Sequence, residues 1–268
     1  MKIYKCDQSM SIMIPEEKLE EIRKKLISAE NPLIFFDDDP DGLCSYLILR
    51  KIMKNASGVV IKSSPKLDIK YLAKIKELSP DLVVIADKPI VMQEFIDRAN
   101  TNIIWIDHHP LVNVKRINYY NPLMWDNKDN RPTTYWCYKV ANFKENLWIA
   151  TLGCIADYFI PEYFDEFVKK YPGLVNDKRD IGDIEFNTKL GNLIKIFSFA
   201  LKGNSEDVKK SISALEKIKE PYEILDKTTD NGRFIFERAE RIEKQYKNLL
   251  DKALQEPSED KIFLFVYP

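Results

Sequence analysis

Asn102-Ile103-Ile104-Trp105-Ile106-Asp107-His108-His109-Pro110 is the stretch that decides the fold. Ile103–Ile106 is short, β-branched and aromatic, with polar residues on either side, which predicts a buried strand. The strand ends in an acid and two imidazoles, and these are the two histidines of the 268-residue chain. In an open parallel sheet, residues just past the strand ends sit at the ligand-binding edge. A histidine placed there can ligate a divalent metal or titrate near neutral pH.

Upstream, the same layout recurs. Leu33–Phe36 reads as a strand running into Asp37-Asp38-Asp39-Pro40-Asp41-Gly42, and residues 42–54 return as a helix. Gly58–Lys62 is a further strand, and residues 68–78 form an amphipathic helix. Leu82–Ala86 is a strand ending in Asp87, and residues 89–99 form a helix. A helix over Pro15–Glu30 precedes them, with Pro15, Glu16 and Glu17 at its start. Strands alternating with helices of about ten residues predict an α/β fold, a parallel β-sheet flanked by helices with right-handed crossovers.

Past the histidines the alternation loosens. Residues 119–131 read as a polar loop and residues 132–142 as a helix. Residues 145–159 form an apolar helix with Asp157 deep within it. Residues 161–183 look irregular and charged. Residues 186–201, 205–218 (capped by Ser205) and 229–254 are helical, and Ile262–Tyr267 reads as a strand. The expected domains are an α/β domain over 1–200, a helical connector over 201–260 and, over 261–268, the start of a second domain that is truncated or absent.

Hydrophobic residues make up 45% and charged residues 31% of the chain, as in globular proteins, and the net charge of −1 argues against sequence-blind wrapping of a duplex. Cys6, Cys44, Cys137 and Cys154 form no C-x-x-C pair, the pattern of reduced thiols in the cytoplasm. No apolar run reaches the ~18 residues of a membrane span, and the first seven residues do not resemble a leader.

Three strands thus end in acids, and a parallel sheet gathers those ends at one edge. At ~4 Å, two like charges repel by roughly 4 kcal/mol at an effective dielectric near 20. Several carboxylates at one edge therefore require cations. Oxygen donors with one or two imidazoles suit Mn²⁺ or Mg²⁺. Two such ions would clamp a phosphoryl group and activate water. Arg131, before the Pro132 helix, suits a phosphate near a helix N-terminus. Tyr119, Tyr120, Trp125, Tyr135 and Trp136 could stack bases, though packing accounts for most of them.

The ordered set Asp37-Asp38-Asp39-Pro40-Asp41-Gly42, Asp87, Asp107-His108-His109 and Leu152-Gly153-Cys154-Ile155-Ala156-Asp157 resembles the DHH phosphoesterases. The motifs cover residues 30–160, with a weaker likeness to about residue 260. An acid rather than a histidine at position 37 is similar to the branch of the RecJ single-strand exonucleases. Asn121-Pro122 followed by Pro132-Thr133-Thr134-Tyr135 resembles the archaeal members.

The resemblance implies that Asp37, Asp39 and Asp41 hold metal, that Asp87 bridges two Mn²⁺ (or Mg²⁺) ions, and that His108 and Asp157 complete the shell. It implies that Asp107 orients the histidines, and that His109 meets the scissile phosphate, with Arg131 as a further substrate contact. The expected activity is exonucleolytic hydrolysis of single-stranded DNA or RNA. The alternatives are hydrolysis of small phosphoanhydrides, short oligonucleotides or cyclic dinucleotides, and a scaffold bound to a replication or repair protein. Lys88-Pro89 departs from the family pattern, in which a small residue follows the second-motif Asp. That crowds the site with a cation, unless Lys88 points away or meets a phosphate.

Overall fold

The computed structural model of the chain describes residues 13–62, 66–176 and 179–255. Two compact units divide within a helix, at Ile194 and Lys195.

In the first unit, the runs Leu33–Phe36, Leu82–Ala86 and Ile103–Ile106, without a polar side chain, become strands buried on both faces. β1 (Pro32–Asp37), β2 (Ser57–Ile61), β4 (Leu82–Ala86), β6 (Asn102–Ile106) and β7 (Asn118–Tyr120) form one sheet in the order β2-β1-β4-β6-β7. Every pairing is parallel, with Phe36 opposite Ala86 and Ala86 opposite Ile106. β3 (Lys66–Leu67) and β5 (Ile90–Val91) form a separate two-stranded ribbon.

Strand periodicity sorts the core. Leu33, Phe35, Val83, Ile85, Ile103 and Trp105 join one hydrophobic cluster with Phe95 and Ile96 of helix α4 (Gln93–Ala99) and Ile75 of α3 (Leu72–Leu78). On the alternate face, Phe36 stacks on Tyr46 of α2 (Pro40–Ile52) at 4.5 Å between ring centroids. Continuous apolar strands are what a parallel sheet covered on both faces requires. α1 (Glu16–Ser28) is tied to α5 (Thr133–Ala141) by Arg23, which donates to the carbonyls of Lys139 and Val140. α5, α6 (Leu147–Ala156) and α2 pack closely; a Cβ on Gly153 would meet Thr134 and Cys44.

The chain order places a switch point in this sheet. From β1 the chain moves outward to β2, and from β4 it moves the other way to β6. The adjacent C-terminal ends of β1 and β4 are therefore where the crossovers part, and a crevice opens there in such folds.

Four local expectations need correction. Tyr119 and Tyr120 are not loop but the short edge strand β7, whose three residues are too few to show a period. Residues 161–183 are not irregular throughout, since they contain α7 (Phe164–Lys170) and the start of α8 (Ile181–Asn187). Asp157 is the C-cap of α6 rather than deep within it, because Tyr158 turns left-handed (φ 55°) and ends the helix. α9 (Lys189–Ala200) precedes the second unit's α10 (Ser205–Leu215), and α10 is capped by Asn204 rather than Ser205. The Asn204 side chain accepts from the Asp207 N–H at 3.0 Å.

The second unit continues with α11 (Pro221–Leu225) and α12 (Asp230–Gln255), the long charged helix that the sequence predicts. The strand expected over Ile262–Tyr267 lies outside the described residues.

Candidate metal centre

The site lies at the carboxyl ends of β1, β4 and β6. At the end of β1, Asp39 is the N-cap of α2 and accepts from the Gly42 N–H at 2.8 Å. Gly42 is required here, because a Cβ would come within 2.7 Å of the Asp37 carbonyl oxygen. That close approach drops Asp41, in the first turn of α2, into the interior. Its two carboxylate oxygens accept from the N–H groups of Thr133 (3.0 Å) and Thr134 (2.7 Å). Asp41 thus occupies the N-terminus of α5, the position where sequence reading places a phosphate. Helix ends of this polarity favour an anion, and here the chain supplies its own.

At the end of β4, Asp87 adopts a left-handed backbone (φ 60°) and is buried. Its Oδ1 accepts from the Thr133 hydroxyl at 3.0 Å, while its Oδ2 is buried with no hydrogen-bond partner. His108 Nε2 lies 3.6 Å from Asp87 Oδ1, 3.6 Å from Asp157 Oδ2 and 3.9 Å from Asp41 Oδ2. These four side chains come from four separate elements and converge on one point.

Asp107 is saturated instead. Its Oδ1 pairs with His109 Nδ1 at 2.8 Å. Its Oδ2 accepts from the His109 N–H (3.2 Å), Asn121 Nδ2 (3.4 Å) and the Tyr119 hydroxyl (3.5 Å). Asn121, itself fully buried, also donates to the His109 carbonyl at 2.8 Å and so fixes the turn after the histidines. A carboxylate so occupied orients an imidazole rather than binding an ion directly.

The electrostatics follow from this crowding. Burial, then the charge of Asp39, pushes Asp41 up to about 7. Burial and the neighbouring Asp41, Asp39, Asp107 and Asp37 hold Asp87 well above the usual carboxylate range. Asp157 is pushed up to about 6 by burial and Asp41, against the pull of His108. Burial draws His108 below the usual imidazole range. Burial draws His109 the same way, but the hydrogen bond and charge of Asp107 outweigh it and leave His109 raised. Every carboxyl in the group would gain from a cation.

Among the described residues, two groups of side chains can each hold a metal ion: Asp87, His108 and His109, and Asp41, His108 and Asp157. Hard oxygen donors with imidazole fit a divalent ion such as Mn²⁺ or Mg²⁺, and the orphaned Asp87 Oδ2 is a buried lone pair facing no donor. Asp37 belongs to neither group. Its Oδ1 is 2.6 Å from the ammonium of Lys88, and burial raises its carboxyl although Lys88 pulls it down. Arg131 is paired with Asp129 at 2.5 Å and lies over the rings of Tyr135 and Trp136. Tyr120, Tyr135 and Trp136 are buried, and Tyr119 stacks on Trp105 at 3.9 Å, so these four are packing residues.

Three functional contacts escape sequence reasoning. Thr133 and Thr134 seat Asp41 and Asp87, Asn121 braces Asp107, and Lys88 turns inward onto Asp37. The sequence signals for them are the segments Asn121-Pro122 and Pro132-Thr133-Thr134-Tyr135 and the lysine following the second-motif acid.

Residues 31–159 match the family model described as DHH family, N-terminal domain. Among solved structures, the chain resembles exonuclease RecJ bound to manganese (12% identity, TM-score 0.63, covering 91% of this chain and 69% of that one). It also resembles RecJ from Thermus thermophilus in complex with Mn²⁺ (15%, 0.62, 92% and 41%). A third likeness is the DHH domain of a member of the s1p family of ribosomal proteins (13%, 0.61, 92% and 66%). At such identities these likenesses are of fold, and the chain spans 41% to 69% of the length of the three. No curated protein matches the chain in sequence. No helix among the described residues is long and apolar enough to cross a membrane.

Proposed function

We propose that this chain, whose residues 31–159 match the N-terminal domain of the DHH family, is a Mn²⁺- or Mg²⁺-dependent phosphodiesterase that removes nucleotides from the end of single-stranded DNA or RNA. The observation that carries the metal-dependent hydrolase is the convergence of Asp41, Asp87, His108 and Asp157 around a buried carboxylate oxygen that has no partner. Nucleic acid as substrate is supported by the likeness in fold to two RecJ structures and by the acid, Asp37, that opens the first motif.

The roles follow from the contacts. Asp41, Asp87, His108 and Asp157 would hold metal, with the exposed Asp39 beside them as a further ligand for a second ion. Bound divalent ions neutralise phosphoryl oxygens and lower the pKa of water. Thr133 and Thr134 fix the orientation of the acidic ligands before substrate arrives. Asp107 takes the Nδ1 side of His109, which leaves Nε2 to meet the scissile phosphate. His109 is raised above the usual imidazole range, so it reaches the phosphate as a cation over more of the neutral range than a free imidazole. Arg131, whose guanidinium Nη1 is paired with Asp129, serves as a second phosphate contact through its remaining N–H groups.

The test is Mn²⁺ titration by calorimetry together with turnover of a 5′-labelled single strand, of pyrophosphate and of a dinucleotide. Metal binding with release of nucleotides from the long strand supports the proposal. Turnover of only the small compounds overturns the exonuclease and leaves a small-phosphoester hydrolase.

A further inference from the structure

Lys88 is among the largest fully buried side chains of the protein, with 1% of its side chain exposed. A lysine so enclosed is retained only where its charge is paired, because burying an isolated ammonium is prohibitive. Its ammonium donates to Asp37 Oδ1 at 2.6 Å, a short charge-assisted bond. The backbone is clamped as well: the buried Trp105 indole N–H donates to the Lys88 carbonyl at 3.0 Å. Asp87, one residue earlier, is held left-handed and points its own carboxylate toward His108. The turn after β4 therefore delivers an acid to one side of the crevice and a base to the other.

Asp37 is the residue that ends β1, next to β4 in the sheet, and its charge is felt by Asp87. It stands at the same sheet edge as the ligand group without belonging to either cluster that can hold an ion, and its Oδ1 also accepts from the Asp38 N–H at 2.8 Å. The Lys88 ammonium already occupies one of its oxygens, and an ammonium and a divalent ion repel one another at that distance. Enclosure also keeps Lys88 from reaching out to a substrate phosphate.

We infer that Lys88 is a resident cation of the centre: its ammonium takes the place on Asp37 that a metal ion would take, so that Asp37 lies outside the metal shell of this chain. This rests on the metal-dependent reading above, and it adds a positive charge that no chelator removes. The site then combines exchangeable ions on Asp41, Asp87, His108 and Asp157 with a permanent charge built from the chain.

The experiment is to count ions by equilibrium dialysis and calorimetry with Mn²⁺ on the full chain and on three variants, Lys88→Ala, Asp37→Asn and the double Asp37→Asn/Lys88→Gln. Lys88→Ala frees Asp37 and makes room, so it binds one ion more than the wild-type chain. Asp37→Asn binds the wild-type number with a Kd within about threefold, a difference under ~1 kcal/mol. The double variant, which leaves no buried charge unpaired, also binds the wild-type number and serves if either single variant fails to fold.

Loss of an ion in Asp37→Asn or in the double variant overturns the inference, as does an unchanged count in Lys88→Ala. A wild-type chain that binds no Mn²⁺ overturns instead the metal-dependent reading on which the inference stands.

Discussion

The ends of β1 and β4 are neighbours in one sheet, and each presents an acid to the same crevice. Asp37 is met by a lysine 2.6 Å away. Asp87, more deeply buried, is met by a threonine hydroxyl on one oxygen and by nothing on the other. Both strand ends face the same electrostatic difficulty, a carboxylate removed from water beside others. One is relieved from within the chain and the other is left for a cation from solution. Acids that look equivalent along a sequence are thus divided by the origin of their counter-charge, and the proposed exchangeable metal site is built on the second kind.

The sharpest way to break this comparison is Asp87→Ala. Mn²⁺ binding and turnover should both fall to the level of a chelated wild-type sample, measured by dialysis and by release of label from a single strand. A variant that keeps the wild-type ion count would show that the β4 end is not the metal-binding one.

Asp107→Asn tests the layer behind the ligands. It removes the acceptor charge on His109 Nδ1 while keeping the shape, and turnover should drop by about 10–100-fold, the usual cost of losing such a partner. Its pH–rate profile should show the His109 limb moved to lower pH, since Asp107 is what raises that imidazole. An unmoved limb would remove His109 from the reaction.

Arg131→Ala should raise KM by about tenfold, on the order of one charged hydrogen bond, and leave the ion count alone. Steady-state kinetics on a single strand measures this, and an unchanged KM would confine Arg131 to its pair with Asp129.

Stability without metal carries the smallest signal. Burial and neighbouring acids push Asp41 up to about 7 and Asp157 up to about 6 in the fold, above the ordinary carboxylate value of the unfolded chain. Between about pH 4 and 7 the native state therefore holds protons that the unfolded chain has released, and stability falls as pH rises through that window. The melting temperature of metal-free protein should drop by a few degrees from pH 5 to pH 7.5, at roughly 2–4 °C per kcal/mol. Saturating Mn²⁺ should restore more at pH 7.5 than at pH 5. A flat metal-free profile would mean that the buried acids already have their counter-charges.

Much of this was legible along the chain. Leu33–Phe36, Leu82–Ala86 and Ile103–Ile106 have no polar residue to place them anywhere but inside, and acids at their ends have to gather at one edge once the strands run parallel. Those facts are local, or follow from the handedness of crossovers, so sequence alone determined the α/β sheet and offered Asp37, Asp39, Asp41, Asp87, His108 and Asp157 as candidates for a site at its edge.

What the tertiary structure decided is how each charge is answered. Nothing near Asp41 in sequence announces that Thr133 and Thr134, over ninety residues on, will cap it. Lys88, adjacent to Asp87, serves Asp37 instead, fifty-one residues earlier. A side chain's partner across a sheet edge depends on register, on the left-handed turn at Asp87 and on the close approach that Gly42 permits. Pairing energies act over a few ångströms in space, and separation along the chain does not encode them.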